Sequence, residues 1–360
     1  MSLLIAAGGT GGHVFPALAV AQAWRKRWPE LPVHWIGVAG GREEEWVQEA
    51  GFPFVGLHAA GWQPRRLWRN LSLLYRLPQG GVEAWRVVAR WRPRVVFTTG
   101  GYPGLLPGLV SALRGLAVAL LELNVHAGRT IRWLARTATE VYGAFPQTLG
   151  LPRGHSAIWT GVPVRFQTSD RSRYTPEQAK ASWGFSPDRP LVLILGGSQG
   201  SSALNRAVTR AIPTWVEAGA SVLWQTGPHA SLSNNLPAVR CESFILDMGK
   251  AYLAADVVVS RAGGSTLGEL AWWGKAAVLV PSPYVAEDHQ RQNARYWMEK
   301  GAAKMVEEAD ARGLEAEVLA LLQDPTQRAR YEQAAAQLGG PHAAETIAER
   351  LYRLAYGVSV

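Results

Sequence analysis

Two apolar segments of the chain end in glycine-rich turns of nearly the same sequence, and these turns constrain the fold more than any other feature. Residues 3–13 read LLIAAGGTGGH and residues 191–201 read LVLILGGSQGS. A buried strand that breaks at glycines and opens a helix is the phosphate-binding turn of an α/β sheet, because backbone N–H groups and the helix N-terminus attract an anion. One such turn is equally explained by tight packing, but the repeat predicts two ligand-binding domains.

The composition is that of a globular protein with two domains. The chain has 360 residues, of which 48% are hydrophobic and 18% are charged, and this length suits two cores. Apolar runs such as Leu116–Leu121 are too short to span a bilayer, and no basic leader precedes the first strand. The single Cys241 excludes a disulfide framework. We therefore expect a cytoplasmic protein.

The charge balance indicates an anionic partner without identifying it. The net charge is +9, and 31 of the 37 basic residues are Arg. Because Arg pairs with phosphate in a fixed geometry, nucleic acid, anionic lipid and a phosphorylated substrate all fit. The alternative is a GC-rich or heat-adapted genome that favours Arg, with the surplus positive charge spread over the surface.

Apolar, β-rich runs alternate with helical patterns along the whole chain. Continuous Val, Ile and Leu runs suit parallel strands that are covered on both faces, and the alternation predicts a doubly wound α/β fold in each half. The predicted strands are Leu3–Ala7, Val33–Val38, Val95–Thr99, Val118–Glu122, Ala157–Thr160, Leu191–Leu195, Ser221–Gln225, Val257–Ser260 and Ala276–Val280.

The predicted boundary between the halves lies near Thr160–Pro163. We assign residues 1–162 to an N-terminal domain and residues 163–340 to a C-terminal domain. Residues 341–360 contain an amphipathic pattern over Ala343–Leu354, which predicts a final helix that packs back toward the N-terminal domain.

Six ordered motifs resemble the MurG family of N-acetylglucosaminyltransferases. They are GGTGGHVFPALAVA at 8–21, GGYPG at 100–104, GVPVR at 161–165, GGSQGS at 196–201, SRAGGSTLGELAWWGKAAVLVP at 260–281 and EDHQRQNA at 287–294. The resemblance implies the GT-B architecture, α/β with two Rossmann-like doubly wound domains and an interdomain cleft. It assigns the acceptor and the membrane to the N-terminal domain and UDP-GlcNAc to the C-terminal domain.

The resemblance also implies a reaction and its setting. An inverting transferase of this family moves GlcNAc from UDP-GlcNAc to the 4-hydroxyl of MurNAc in undecaprenyl-pyrophosphoryl-MurNAc-peptide, converting lipid I to lipid II in peptidoglycan synthesis. The implied partners are UDP-GlcNAc, lipid I and an anionic membrane surface. Other cell-wall synthesis proteins are further candidate partners, and nucleic acid is not among the expected partners. The implied location is the cytoplasmic face of the cell inner membrane, as a peripheral protein.

Sugar transfer from a nucleotide requires that the leaving diphosphate be stabilised. The sequence has no Asp-x-Asp motif, so we expect no cofactor and no divalent metal, and the charge must be met by helix N-termini, amides and cations. Ser198 and Gln199 are the expected side-chain donors, and Arg165 reaches the diphosphate from the hinge. Arg261 stands at the end of a predicted strand, where open α/β sheets bind ligands, and we expect it to contact UDP-GlcNAc. A solvated or purely structural arginine is the alternative.

Further contacts with UDP-GlcNAc follow from the resemblance. It assigns Glu269 to the ribose hydroxyls and the backbone of Ile245 to the uracil edge. Without the resemblance, Glu269 would be interpreted as an exposed helix residue and Ile245 as a core residue. Gln290 and Asn293 match residues that bond the GlcNAc hydroxyls, and His289 stands where the family often has Gln. The remaining assigned contacts are Thr10, Gly11, Gly12, Asn124, Ser265 and Thr266.

The acceptor side and the catalytic base are assigned to the N-terminal half. His13 follows the first glycine loop at a helix start, and histidine suits general base catalysis near neutral pH. The alternative is that His13 only positions the loop. Tyr102 is a candidate for acceptor contact. Asn124 matches the Asn of a family His-Glu-Gln-Asn motif that here reads Leu-Glu-Leu-Asn, and Glu122 accompanies it on the acceptor side.

Residues 62–77 read WQPRRLWRNLSLLYRL and predict a segment that lies in a membrane interface. Trp and Leu interleaved with Arg are typical of a surface drawn to anionic headgroups. An ordinary amphipathic helix packed on the core is the alternative. The membrane residues are Trp62, Arg65, Arg66, Trp68 and Arg69.

Three other functions compete with this interpretation. An NAD-dependent oxidoreductase is disfavoured because Val14 occupies the third glycine position of the dinucleotide fingerprint. A UDP-GlcNAc epimerase, or another GT-B sugar-nucleotide enzyme, would share the nucleotide site but would not need the basic aromatic segment. A nucleic-acid binder rests on the net charge alone, without a recognised module.

Overall fold

The computed structural model describes residues 2–58, 73–228, 230 and 236–357. Contacts divide the chain into two compact units. Unit 1 comprises Met1–Arg165 and Gly340–Val360, and unit 2 comprises Phe166–Gly339. The segment that returns to unit 1 carries the final helix.

Unit 1 is built on a parallel sheet. Its seven strands, counted over the described residues, follow the order β3-β2-β1-β4-β5-β6-β7. The strands are β1 Leu3–Ala6, β2 Val33–Val38, β3 Phe54–Leu57, β4 Val95–Thr98, β5 Ala117–Glu122, β6 Glu140–Gly143 and β7 Ile158–Trp159. The helices between them are α1 Gly11–Arg27, α2 Glu43–Glu49, α3 Leu73–Trp91, α4 Gly101–Leu113 and α5 Arg129–Leu134.

Unit 2 repeats the same construction. Six parallel strands of its described part follow the order β10-β9-β8-β11-β12-β13. They are β8 Leu191–Leu195, β9 Ser221–Gln225, β10 Val239–Glu242, β11 Val257–Ser260, β12 Ala277–Leu279 and β13 Ala303–Met305. The helices of the unit are α6 Thr168–Ser172, α7 Pro176–Ser182, α8 Ser202–Glu217, α9 Met248–Ala254, α10 Gly264–Trp273, α11 His289–Glu299, α12 Ala311–Gln323 and α13 Pro325–Gln337.

The central strands are buried along their full length, as their continuous apolar sequence requires. All residues of β1, β4, β8 and β11 are buried, and helices cover the sheet in each unit. Two parallel sheets with alternating helices confirm the predicted doubly wound class.

The sequence predicted nine strands and missed four of those in the part of the chain that the structure describes. The missed strands are Phe54–Leu57, Glu140–Gly143, Val239–Glu242 and Ala303–Met305. Three of them are edge strands and the fourth lies next to an edge. An edge strand is covered less completely, so it carries a weaker apolar pattern than a central strand.

The final helix, α14, spans Ala343–Tyr356 and packs on α1 within unit 1. Tyr352 stacks on Trp28 with ring centroids 4.3 Å apart. Arg350 donates two hydrogen bonds to the carboxylate of Glu140, at 2.9 and 2.7 Å. An aromatic stack and a bidentate ion pair therefore fasten the end of the chain to unit 1.

Each sheet reverses its winding once, and this point positions the functional residues. In unit 1 the reversal lies between β1 and β4, with Ala6 opposite Thr98. In unit 2 it lies between β8 and β11, with Leu195 opposite Ser260. Open α/β sheets bind ligands beyond the carboxyl ends of the strands at such switch points.

A buried cation lies at the opposite, amino-terminal edge of the unit 2 sheet. The ammonium of Lys275 donates to the carbonyl of Ala255 at 2.6 Å. Burial lowers the pKa of Lys275 to about 8, although the charges of Glu332 and Asp256 favour the ammonium. In the unfolded chain this group titrates near its ordinary value of about 10.4.

Replacing Lys275 by Met should change how stability depends on pH. Between pH 8 and 10.5 the unfolded chain holds a proton that the folded chain has lost, so wild-type stability rises with pH over this range. Between pH 7 and pH 10, the free energy of unfolding of wild type should gain about 2 kcal/mol relative to Lys275→Met. Denaturant unfolding of both proteins at each pH measures this, and parallel pH curves would contradict it.

Candidate functional site

The first glycine loop of unit 1 joins β1 to α1 at the switch point. Gly9 has a φ of +86°, and its N–H donates to Glu43 Oε1 at 3.0 Å. Thr10 precedes the first helical residue, so Gly11 and Gly12 form the start of α1. Their N–H groups have no acceptor within the helix, because the first N–H groups of a helix never do. The loop thus presents two amides at its helix start.

His13 is held by the end of the neighbouring strand. Its Nδ1 lies 2.8 Å from the carbonyl oxygen of Thr99, and the Thr99 hydroxyl donates to the His13 carbonyl at 3.0 Å. A carbonyl only accepts hydrogen bonds, so Nδ1 must carry the proton. The neutral ring therefore keeps its lone pair on Nε2, where it can accept a proton. Thr99 was not recognised from the sequence, because its contact depends on the pairing of β1 with β4.

Tyr102 lies in the first turn of α4, after a second glycine loop. Gly100 and Gly101 have φ values of +83° and +69°, which glycine adopts at low cost. The Tyr102 side chain is 38% exposed. Burial, followed by the charge of Glu43, raises the pKa of its phenol. Tyr102 therefore remains a hydrogen-bond donor at neutral pH.

Glu122 is the last residue of β5, and its carboxylate points into the loop that follows this strand. Its Oε1 accepts from the backbone and side-chain amides of Asn124 at 2.8 and 2.9 Å, and its Oε2 accepts from the N–H of Gly128 at 2.8 Å. Burial raises the pKa of Glu122, and these three hydrogen bonds oppose that shift. The carboxylate orders the loop that carries Asn124, at the same edge as His13.

Arg165 is the last residue of unit 1. Its guanidinium lies over the Phe15 ring, with Cζ 4.0 Å from the centroid. Phe15 belongs to α1. The arginine is therefore held against the helix that follows the first glycine loop.

The third glycine loop joins β8 to α8 at the switch point of unit 2. Gly197 and Gly200 have φ values of +87° and +71°. A Cβ at Gly200 would lie 2.7 Å from the Cα of Gly227, so only glycine fits this approach. The Ser201 hydroxyl caps α8 by accepting from the N–H of Leu204 at 3.3 Å. Ser198 and Gln199 lie on the loop itself, half-buried and exposed respectively.

Arg261 lies at the end of β11, beside that loop, and its side chain is buried. One guanidinium nitrogen donates to the carbonyl of Val280 at 2.9 Å. Another contacts the Ser201 hydroxyl and the Glu308 carboxylate. Arg261 thus links the loops that follow β8, β11 and β12, and its charge is paired within unit 2. Glu308 was not recognised from the sequence, because it meets Arg261 only after distant segments pair.

Glu269 extends from α10 beside the same strand ends. Tyr252 donates to its Oε2 at 2.9 Å, and Tyr252 is itself buried against Phe166 and Trp273. The first turn of α10 contains Ser265 and Thr266. The site therefore combines a carboxylate of fixed orientation with a helix N-terminus.

Ile245 is fixed by a buried amide that the sequence did not single out. The N–H of Ile245 donates to Gln225 Oε1 at 3.0 Å, and Gln225 Nε2 donates to the carbonyl of Gly197 at 3.1 Å. The N–H of Ile245 is therefore already used within unit 2, so a ligand at this backbone position would meet the carbonyl of Ile245.

The start of α11 joins two further strand ends. Gln290 accepts from the N–H of Ser282 at 2.9 Å, and the buried Asn293 donates to the carbonyl of Ala262 at 3.1 Å. His289 is the first residue of the helix. The predicted sugar-binding residues therefore lie at the carboxyl edge of the unit 2 sheet.

The predicted membrane residues Trp62, Arg65, Arg66, Trp68 and Arg69 lie outside the described residues. None of the helices that the structure describes is long and apolar enough to cross a membrane. The described helices α3, α4 and α5 form one layer on the unit 1 sheet, and large apolar side chains are exposed on it. Trp85 is 46% exposed and Leu113 and Trp133 are each 71% exposed.

Arginines accompany these exposed side chains. Arg114 stacks on Trp85 with Cζ 4.7 Å from the ring centroid, and Arg136 lies 5.7 Å from that of Trp133. Together with Arg129 and Arg132, Trp133 and Arg136 line one concave region on α5. An apolar surface with interleaved arginines suits an interface with anionic headgroups.

Known proteins resemble this chain along nearly its whole length. The glycosyltransferase family 28 N-terminal domain matches residues 3–143, and the C-terminal domain of the same family matches residues 191–351. A UDP-N-acetylglucosamine–N-acetylmuramyl-(pentapeptide) pyrophosphoryl-undecaprenol N-acetylglucosamine transferase from Salinibacter ruber is 39% identical, over 98% of this chain and 96% of that protein.

Solved structures agree with the sequence relatives. The crystal structure of Acinetobacter baumannii MurG superimposes with a TM-score of 0.74 at 28% identity, over 98% of this chain and 99% of that one. A putative UDP-N-acetylglucosamine 2-epimerase from Listeria monocytogenes shares only the fold, with a TM-score of 0.70 at 12% identity, over 100% of this chain and 97% of that one. The chain therefore belongs to the MurG family of N-acetylglucosaminyltransferases, within glycosyltransferase family 28.

Proposed function

We propose that this protein transfers GlcNAc from UDP-GlcNAc to the 4-hydroxyl of MurNAc in undecaprenyl-pyrophosphoryl-MurNAc-peptide, producing lipid II. The 39% identical relative is named as an N-acetylglucosamine transferase for UDP-N-acetylglucosamine and N-acetylmuramyl-(pentapeptide) pyrophosphoryl-undecaprenol. The observation in this chain that carries the proposal is the hydrogen bond between Nδ1 of His13 and the carbonyl of Thr99 at 2.8 Å, which leaves Nε2 as the acceptor of the neutral ring. A transferase needs such a base for the acceptor hydroxyl.

The donor nucleotide is assigned to the switch point of unit 2. Glu269 would accept hydrogen bonds from both ribose hydroxyls, and the carbonyl of Ile245 would accept from the uracil ring. The loop with Ser198 and Gln199 and the start of α10 with Ser265 and Thr266 would hold the diphosphate through backbone amides. Gln290, Asn293 and His289 would contact the sugar.

Other donor contacts are assigned to unit 1. The amides of Gly11 and Gly12, with the side chains of Thr10 and Asn124, complete the donor set, and Arg165 adds positive charge for the diphosphate. Tyr102 and Glu122 belong to the acceptor side, where Glu122 acts by holding the loop of Asn124. Because amides and arginines take the leaving charge, the proposed reaction uses no divalent metal.

The chemical step is one displacement at the anomeric carbon. The acceptor 4-oxygen forms a bond to C1 of GlcNAc while the bond from C1 to the diphosphate oxygen breaks, and UDP leaves with that electron pair. The proton of the 4-hydroxyl passes to Nε2 of His13. Attack from the face opposite the leaving group inverts the configuration at C1.

The membrane-facing surface is assigned to the α3–α5 layer, together with the segment that contains Trp62 and Arg69. Burying Trp85, Leu113 and Trp133 in the headgroup region would be favourable at about 25 cal/mol per Å² of apolar surface. Their neighbouring arginines would add about 1 kcal/mol each near an anionic surface. We therefore propose a peripheral protein on the cytoplasmic face of the membrane.

Substituting His13 tests both the reaction class and the base. Wild type should release UDP from UDP-GlcNAc only when a lipid-linked muramyl acceptor is present, whereas an epimerase would convert UDP-GlcNAc without acceptor. His13→Ala should lower kcat by about 10²- to 10⁴-fold because the proton acceptor is lost, with UDP affinity unchanged. The exposed His155→Ala serves as the control. If the turnover of His13→Ala remained within threefold of wild type, the base would be a residue other than His13.

A double-mutant cycle tests the ribose contact. Glu269→Ala should raise the Kd for UDP about 30-fold or more, since charge-assisted hydrogen bonds contribute about 2–3 kcal/mol. Tyr252→Phe should raise it about fivefold in wild type and have no effect in Glu269→Ala, because the hydroxyl acts through that carboxylate. Calorimetric titration with UDP measures all four proteins, with Tyr331→Phe as the control. Independent effects of the two substitutions would contradict this assignment.

Substituting the exposed apolar side chains of unit 1 tests membrane docking. Trp85→Ser combined with Leu113→Ser should weaken binding to anionic vesicles at least about tenfold, through the loss of buried apolar surface. Turnover of a soluble short-chain acceptor should be unchanged. Met298→Ser, an exposed apolar residue of unit 2, is the matched control. Equal loss of turnover with soluble and vesicle-borne acceptors would show that these residues serve folding or catalysis instead.

A further inference from the structure

Glu43 has a buried carboxylate beneath the first glycine loop. It opens α2 and stands in the run Arg42-Glu43-Glu44-Glu45, yet it is only 3% exposed, whereas Glu45 on the same helix is exposed. Burying a carboxylate is costly unless hydrogen bonds compensate. Glu43 Oε1 accepts from the N–H of Gly9 at 3.0 Å and from the N–H of Val38 at 3.1 Å.

The backbone around this carboxylate leaves space for Glu43 and for little else. A Cβ at Gly8 or Gly41 would collide with the Glu43 carboxylate, and a Cβ at Gly37 would collide with the Phe54 ring and lie 3.1 Å from Cγ of Glu43. Three glycines, which lie after β1, within β2 and after β2, therefore leave the space that this side chain fills. The position of the carboxylate is thereby fixed relative to both β1 and β2.

The loop that Glu43 holds borders Tyr102 and leads directly into the first turn of α1, which carries His13. A Cβ at Gly9 would lie 3.4 Å from Cε1 of Tyr102. A Cβ at Gly101 would lie 3.6 Å from Cδ2 of His13 and 3.7 Å from the carbonyl oxygen of Gly8. A shift of the Gly8–Gly9 backbone would therefore alter the surroundings of Tyr102 and the start of α1, from which the His13 side chain extends. The charge of Glu43 also contributes to the raised pKa of Tyr102.

We propose that Glu43 is a positioning residue that sets the first glycine loop and, through it, orients His13 and Tyr102. The Glu43 carboxylate accepts a hydrogen bond from the N–H of Gly9, so this amide is already used within the protein. The amides that the loop presents to a substrate are therefore the later ones, of Gly11 and Gly12. The catalytic part of this inference rests on the proposed function, in which His13 is the base.

Substitutions of different length and polarity separate positioning from bulk stability. In Glu43→Gln the amide oxygen can occupy the Oε1 position and accept from both N–H groups, so kcat should remain within about threefold of wild type. In Glu43→Asp and Glu43→Ala the acceptor no longer reaches Gly9, and kcat should fall at least about tenfold. The Kd for UDP should stay within twofold in Glu43→Gln, and Glu45→Ala should match wild type in both measurements.

The energetic coupling between Glu43 and His13 is a measurement that a simple loss of folding stability would not change. Because Glu43 acts through His13, Glu43→Ala should lower kcat less than about threefold further in the His13→Ala background. Independent multiplication of the two losses would overturn the proposal, as would a folded Glu43→Ala with wild-type kcat. If Glu43→Ala does not fold, Glu43→Asp replaces it in the same cycle.

Hydrogen exchange tests the loop without any reference to activity. A peptide covering Gly8–Thr10 should exchange at least about tenfold faster in Glu43→Asp than in wild type, while Glu43→Gln should match wild type. Unchanged exchange in Glu43→Asp would overturn the proposal. If wild type itself transfers no sugar, the proposed function fails in the kinetic assay, whereas the exchange result still decides the role of Glu43 in the loop.

Discussion

The burial of both faces of each parallel sheet determines where chemistry can occur in this protein. The strands at the two switch points are apolar and covered throughout, so polar groups are accommodated only where these strands end. At a switch point two neighbouring strands lead to helices on opposite faces, which leaves their carboxyl ends side by side. Glycine loops, helix N-termini and polar side chains therefore gather at one edge of each sheet.

The side chains at these edges are held mainly by backbone groups. His13 is bound to the carbonyl of Thr99, Gln225 to the backbone of Gly197 and Ile245, and Asn293 to the carbonyl of Ala262. The main chain moves less than a side chain does, so each bond restricts a functional group to one orientation before substrate arrives. Such preorganisation lowers the cost of ordering at the moment of reaction.

The sequence predicted what depends on local pattern and missed what depends on tertiary pairing. The glycine loops and the central strands follow from apolar runs that break at glycines, and their fold class is confirmed. The partners Thr99, Gln225, Tyr252 and Glu308 carry no local signal, because each meets its functional neighbour only after distant segments pair. Glu43 was hidden for another reason. An acidic run resembles a solvated surface, and only the three glycines around it show that one of its members is buried.

The pairing of Arg261 bears on how unit 2 would hold a diphosphate. Its guanidinium already contacts Glu308, Ser201 and the carbonyl of Val280, so within unit 2 its positive charge is offset by a carboxylate. The starts of α8 and α10 each contribute roughly half a positive charge, together with amides that have no partner inside the helix. Arg261 fixes the positions of these loops relative to one another, because it joins the ends of β11 and β12 to the cap of α8. The leaving diphosphate would then be held chiefly by amides whose positions the arginine fixes, and this division of roles explains why a buried, paired arginine lies at the switch point.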